Sequence, residues 1–268
     1  MNFRVQKYKD ELKNKKRKKL LSKAVVLCLL IVIGMVSSIY LLFFSKLLDV
    51  RSITIEAADE MRAQLNIAAE DWLNKKFGFF PRRSNILFLS GDQLSSTLID
   101  QFPRLESARV VKKIPHSLEI SVEERKSAGI WCLSDGVRCL YFDKNGVAFN
   151  ETQSSAGYLI LNVKDMRSRE LKLGDIVADN IWLASIIKAR ELLTKNDLDI
   201  RKFVIPAESF DEFYAITASG WKIVFSNSTD ISKQIDALRI FLEEKPSINQ
   251  KANLQYIDLR IQDRIYYK

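Results

Sequence analysis

Apolar residues follow three patterns along the chain. The first is an unbroken run, Ala24–Phe44, with 21 residues and no charge between Lys23 and Lys46. At 1.5 Å per residue such a helix spans about 31 Å, which matches a bilayer core. The run is longer than the roughly 7–15 apolar residues of a signal peptide. It also exits through Leu41-Leu42-Phe43-Phe44 rather than through small residues. The pattern therefore predicts a retained transmembrane helix over residues 24–45.

The second pattern, from Leu48 to Glu123, switches between periods of two and 3.6 residues. Leu48–Glu56 alternates as a strand. Asp59–Lys76 repeats Met61, Leu65, Ala68, Ala69 and Trp72 at helical spacing. Gly78–Ser84 interrupts it with a glycine, a proline and two arginines. Ser90 and Gln93 then fit a capping box for a helix carrying Leu94, Leu98 and Phe102, which Pro103 must stop. Ala108–Lys113 and Leu118–Glu123 alternate as two strands around Ile114-Pro115-His116-Ser117. The order β-α-α-β-β predicts a small α+β domain with helices on one face of a three-stranded sheet.

Beyond Glu124 short strand patterns dominate. Gly129–Leu133 and Val137–Phe142 flank Asp135-Gly136, a two-residue hairpin signal, and Asp143-Lys-Asn-Gly146 makes a second turn before Val147-Ala-Phe149. Helical spacing marks Asn180–Lys195 and Thr229–Glu244. Phe203–Ile205, Phe213–Thr217, Trp221–Phe225, Leu254–Ile261 and Arg264–Tyr267 read as strands. The predicted fold class is thus α+β: a single N-terminal transmembrane helix, a small domain over 46–123, and a larger sheet with packed helices over 124–268.

Charge changes this picture by setting orientation. Residues 1–23 hold ten Lys or Arg against Asp10 and Glu11, a net of +8 out of +9 for the chain. A basic flank marks the cytoplasmic side of a span, so 1–23 is expected as a cytoplasmic tail, solvated and unfolded, able to grip anionic lipid. The basic balance therefore gives no support for a nucleic-acid partner.

Cys132 and Cys139 become directly opposed if Asp135-Gly136 forms the turn, which brings them within disulfide reach; the alternative is two unpaired thiols. Cys28 lies within the apolar run as filler. Catalytic chemistry is hard to assemble. The single histidine, His116, sits in a turn beside Pro115, and one histidine with scattered cysteines gives no zinc set. Glu123 and Glu124 are strand neighbours that face opposite ways, and no hydrolase or phosphate-loop motif occurs. The expectation is a non-enzyme with no cofactor, metal or small-molecule substrate.

Several short motifs occur in order: Leu48-Asp-Val50-x-x-Ile53-x-Ile55, Asn85-Ile86-Leu87, Phe102-Pro103-x-x-x-x-Ala108-x-Val110, and Lys113-x-Pro115-x-x-Leu118-x-Ile120-x-Val122-x-Glu124-Arg125. Together they resemble the POTRA domain of the FtsQ/DivIB bacterial cell-division proteins. Trp131, Tyr141-Phe-Asp143-x-x-Gly146-x-x-Phe149 and Tyr256-Ile-Asp258-Leu-Arg260 are similar to that family's second, β domain. The chain departs from the family where Lys126-Ser127-Ala128 carries no proline, and where 157–161 lacks a Leu-Pro-x-Leu-x-Gly segment. The resemblance implies a single-pass scaffold of the inner membrane at the septum, which helps control septal peptidoglycan synthesis. Its implied partners are FtsB/DivIC-like and FtsL-like bitopic coiled-coil proteins, with other divisome components. The implied contact is the last strands, at Arg260, Ile261, Asp263 and Tyr266, where a partner strand would complete the ladder. Alternatively, Ile257, Leu259 and Ile261 only close the core. Ile261→Pro is expected to separate these readings by deleting a ladder donor. Two other classes stay open: an envelope secretion or assembly adaptor using a POTRA-type domain, and an anchored cell-wall hydrolase.

Overall fold

The computed structural model describes residues 2–44, 46–75, 84–134, 138–153, 160–245, 254–262 and 264–268. The 135–136 turn, most of 78–84, residues 157–159 and Asp263 therefore lie outside the described residues. Packing divides the chain into two compact units, Met1–Ser95 with Arg109–Ser121, and Ser96–Ala108 with Val122–Lys268.

In the first unit a single helix, α1, runs Asn2–Phe44. The basic tail is thus helical, contrary to the expected solvated coil. Its Lys, Arg and Leu residues are good helix formers, and the adjoining apolar helix removes the cost of nucleation. Leu20–Leu41 is long and apolar enough to cross a membrane. Strand β1 (Ser52–Glu56) is shorter than its alternation predicts, because the Ser84–Ile86 segment takes the hydrogen bonds before it: Val50 N–H donates to Ser84 O, and Ile86 N–H to Leu48 O, both at 2.9 Å. Helix α2 (Asp59–Asn74) buries Met61, Leu65, Ala69 and Trp72, and its first turn carries Asp59 and Glu60 at the positive end of the helix dipole. Helix α3 (Gly91–Gln101) starts where the capping box predicts, with Gln93 N–H donating to Ser90 Oγ at 3.3 Å.

Strands β2 (Leu105–Lys113) and β3 (Ser117–Glu124) complete a three-stranded sheet of order β1-β3-β2, in which β1 runs parallel to β3. Ile55 and Ile120 are register partners there, and both are buried. His116 does not sit free in solvent: it is half-buried, and its carbonyl accepts from Arg51 N–H at 2.8 Å.

The second unit is built on a nine-stranded sheet. Its strands are β4 (Gly129–Cys132), β5 (Cys139–Phe142), β6 (Ala148–Thr152), β7 (Leu161–Asp165), β8 (Ile200–Ile205), β9 (Glu212–Thr217), β10 (Lys222–Ser226), β11 (Tyr256–Asp258) and β12 (Tyr266–Tyr267), in the order β12-β11-β10-β9-β8-β7-β4-β5-β6. Strand β7, for which the sequence pattern offers no signal, lies in the middle and is parallel to both neighbours. Parallel neighbours need long crossovers. Helices α4 (Asn180–Lys195) and α5 (Ile231–Glu244) lie in two of them, between β7 and β8 and between β10 and β11. Both helices bury one face in the main core, with Ile186, Leu193, Ile235 and Leu238 among Trp131, Phe142, Phe203, Phe213 and Phe225.

One guanidinium ties the start of this unit together. Arg125 donates through Nε to Pro103 O at 2.9 Å and through Nη1 to Asp143 Oδ2 at 2.6 Å. Asp143 Oδ1 accepts from the N–H groups of Asn145 and Val147, each at 2.9 Å. Gly146 follows at φ +80°, and a Cβ there would meet Leu183 Cδ2 at 2.9 Å, so the turn requires glycine. Phe-Pro, Glu-Arg and Asp-x-x-Gly are therefore one physical junction. Across the β4–β5 pair Cys132 opposes Cys139, and the two sulfurs are bonded.

Candidate partner-binding edge

The edge at β12 is assembled from the end of the chain and from α5. Strand β11 lies parallel to β10, with Ile257 beside Ile223, and both side chains are fully buried. The pairing continues through Leu259 N–H to Val224 O at 3.0 Å, and then the chain leaves the sheet. The strand predicted to reach Ile261 thus ends at Asp258, because Ile261 enters a bend closed by Arg264 N–H donating to its carbonyl. Ile261 has no ladder position, and proline there would delete no ladder donor.

β12 returns antiparallel to β11, pairing Tyr266 with Asp258 and Tyr267 with Ile257, and it is the terminal strand of the sheet. Its place against α5 is fixed by aromatic contact. The Tyr267 ring packs on Phe241 with centroids 5.1 Å apart, and Lys245 Nζ lies 4.9 Å from the Tyr267 centroid. α5 is in turn fixed to β10 by Gln234, a polar residue on the helix's buried face. Its amide accepts from Ser226 N–H and donates to Ser226 O, at 3.0 and 2.7 Å.

Between α5 and the returning chain lies a groove of about 500 Å³, lined by Ala237, Ile240 and Phe241 on the helix and by Leu259, Ile261 and Ile265 opposite. Ile261 and Ile240 are about half exposed at its rim, as is Tyr266 on the strand.

Of the residues predicted to touch a partner, the structure brings Ile261 and Tyr266 to this edge and folds the exposed Arg260 back onto Asp258 and Glu212. The Arg260 guanidinium holds Asp258 through Nε and Nη2 at 3.0 and 2.7 Å, and reaches Glu212 with Nη1. These bonds, those to Asp258 foremost, hold the guanidinium pKa above its ordinary value. Burial alone would raise the Asp258 pKa; the hydrogen bonds and charge of Arg260 outweigh it and hold that carboxyl below its usual range. Asp211 is likewise held low, chiefly by hydrogen bonds from Ser226 and Ser228. Phe241, Lys245 and Gln234 carry no signal in the sequence for this role. Phe241 looks like any core position of an amphipathic helix, and a lone buried Gln has no signature before its partner strand is known.

No cluster of three or more metal-binding side chains occurs among the described residues. Residues 71–125, about a fifth of the chain, match the family model described as POTRA domain, FtsQ-type. The chain carries an FtsQ-type POTRA domain. The match supports the FtsQ/DivIB resemblance. A comparison with curated proteins finds no match. The FtsQ-type POTRA segment takes in the end of α2, then α3, β2 and β3, and closes on Arg125 at the junction described above. An apolar helix of membrane length precedes it, which fits a single-pass membrane protein.

Proposed function

We propose that this protein is a non-enzymatic scaffold of the bacterial division machinery, anchored once in the cytoplasmic membrane. The observation that carries the reading is an FtsQ-type POTRA domain following one helix of membrane length. The basic flank at residues 1–23 favours a cytoplasmic N-terminus, with residues 46–123 as the POTRA domain and 124–268 as the β domain, both outside the cytoplasm. In this reading β12 receives a strand from an FtsB/DivIC-like partner, held together with an FtsL-like protein, and helps govern septal peptidoglycan synthesis. A terminal strand offers backbone donors and acceptors for such addition, and the adjacent apolar groove offers a seat for an anchoring side chain.

The test is a fluorescent fusion followed through division, with depletion in parallel. A mid-cell band and filamentous cells on depletion are expected. A uniform membrane signal with normal division would refute the reading and leave an envelope assembly adaptor in its place. Ile240→Asp and Ile261→Asp, both at exposed rim positions, are expected to leave the protein in the membrane while losing co-purification of the coiled-coil partner.

A further inference from the structure

The sheet of the second unit has a second face, opposite α4 and α5, and its chemistry is unlike that of the core. Strand alternation places Phe203, Phe213, Ala215, Ile223 and Phe225 in the core beside the helices. It therefore turns Lys202, Tyr214, Ile216, Lys222 and Tyr256 the other way. The register sets Lys202, Ile216, Lys222 and Tyr256 in one line across β8, β9, β10 and β11. A second line, two residues further along, runs Lys164, Val204, Tyr214, Val224. With strands about 4.8 Å apart, Lys202 and Lys222 stand roughly 10 Å from each other. Lys222 Nζ lies 4.9 Å from the Tyr214 ring centroid.

Among the described residues no ion pair involves Lys164, Lys202 or Lys222, while two carboxylates of this face, Glu212 and Asp258, both pair with Arg260. The central strands spend their backbone groups on each other, so a peptide could not add here as a strand. The cations are lysines, which meet phosphate oxygens as point charges, and three of them set along one face suit an anion repeated along a chain. Tyr214 and Tyr256 offer flat rings to the C–H groups between successive charges.

We propose that this face binds a linear polyol-phosphate chain, a phosphodiester polymer of the extracytoplasmic space, laid across β7 to β11. The choice of a polyol phosphate over a nucleic acid rests on the orientation proposed above; the binding test does not.

The experiment uses the full chain in neutral detergent micelles and synthetic oligo(glycerol phosphate) as the probe. Lysine acetylation rates are read residue by residue by mass spectrometry, with and without probe, and with poly-glutamate of equal charge as comparison. Slowing at Lys164, Lys202 and Lys222 by oligo(glycerol phosphate), and not by poly-glutamate, is the expected result. The combined Lys164→Gln, Lys202→Gln, Lys222→Gln variant should bind more weakly. Its log K–log salt slope should be shallower by about 2, since each phosphate that a lysine neutralises adds roughly 0.7 to the slope. Slowing confined to the lysines of residues 1–23 would overturn the proposal. Equal or greater slowing by poly-glutamate would also overturn it and assign the face to an acidic protein. The probe binds or fails whichever side of the membrane the domain occupies, so failure here and failure of the septal reading are separate results.

Discussion

Replacing Arg125 with methionine keeps most of the side chain's volume and removes its charge and donors. The guanidinium is 12% exposed and its partner Asp143 2% exposed. Deleting one member of such a buried pair leaves the other charge uncompensated, at a cost of about 3–5 kcal/mol. Here Asp143 keeps two backbone donors, on Asn145 and Val147, which lessens that cost. Pro103 O loses its donor, which adds about 1 kcal/mol. A net loss of about 3 kcal/mol is expected. At a urea slope near 2 kcal/mol/M, that moves the unfolding midpoint down by about 1.5 M. Trp131, Trp182 and Trp221 are all buried in the second unit's core and report its unfolding by fluorescence. Paired with Asp143→Asn in a double-mutant cycle, the substitution should show a coupling of at least about 1.5 kcal/mol. Single losses below about 1 kcal/mol that simply add would refute the junction as a coupled unit.

Tyr267→Ala removes the ring that packs on Phe241, and should cost about 1 kcal/mol while speeding hydrogen exchange of the amides of Tyr256 and Lys268, which pair across β11 and β12. Under non-reducing denaturation only Cys28 should react with a thiol reagent; two or more reactive thiols in residues 46–268 would exclude the 132–139 bridge. Replacing both bridging cysteines with alanine should cost about 2.5 kcal/mol, the loop-closure value for so short a loop. Asp258 and Asp211 titrate below their ordinary value when folded, so the stability they lend is present above about pH 4 and is lost as pH falls through their folded pKa values. Unfolding measured from pH 6 to pH 2.5 should therefore show a shallower acid decline in Asp258→Asn than in the natural chain.

The local signals that proved readable belong to elements whose structure is decided within a few residues. Ser90 and Gln93 announced α3, the period of Asn180–Lys195 gave α4 to the residue, and the alternation around Ile120 gave β3. Longer-range choices were less visible. Nothing in Leu161–Asp165 says that it will be flanked on both sides by parallel strands, because a buried strand shows no polar alternation and its neighbours lie far off in sequence. At the candidate edge, Tyr266 was legible as part of an alternating end. The pairing of Arg260 across the surface was not, since it depends on Glu212, 48 residues earlier.

The central position of β7 also bears on how quickly the second unit forms. β4, β5 and β6 join by short connections, as do β8, β9 and β10, so each trio closes few residues of chain and can form early. Neither trio touches the other in the sheet; β7 alone joins them, pairing Trp131 with Val163 on one side and Val163 with Phe203 on the other. Those pairings bring together residues 32 and 40 positions apart, so they carry the larger loop-closure entropy. Until β7 docks, two half-sheets each hold out an apolar strand edge. The slow step of folding and the moment of greatest exposure to aggregation are then the same event, the arrival of five residues between β4 and β8.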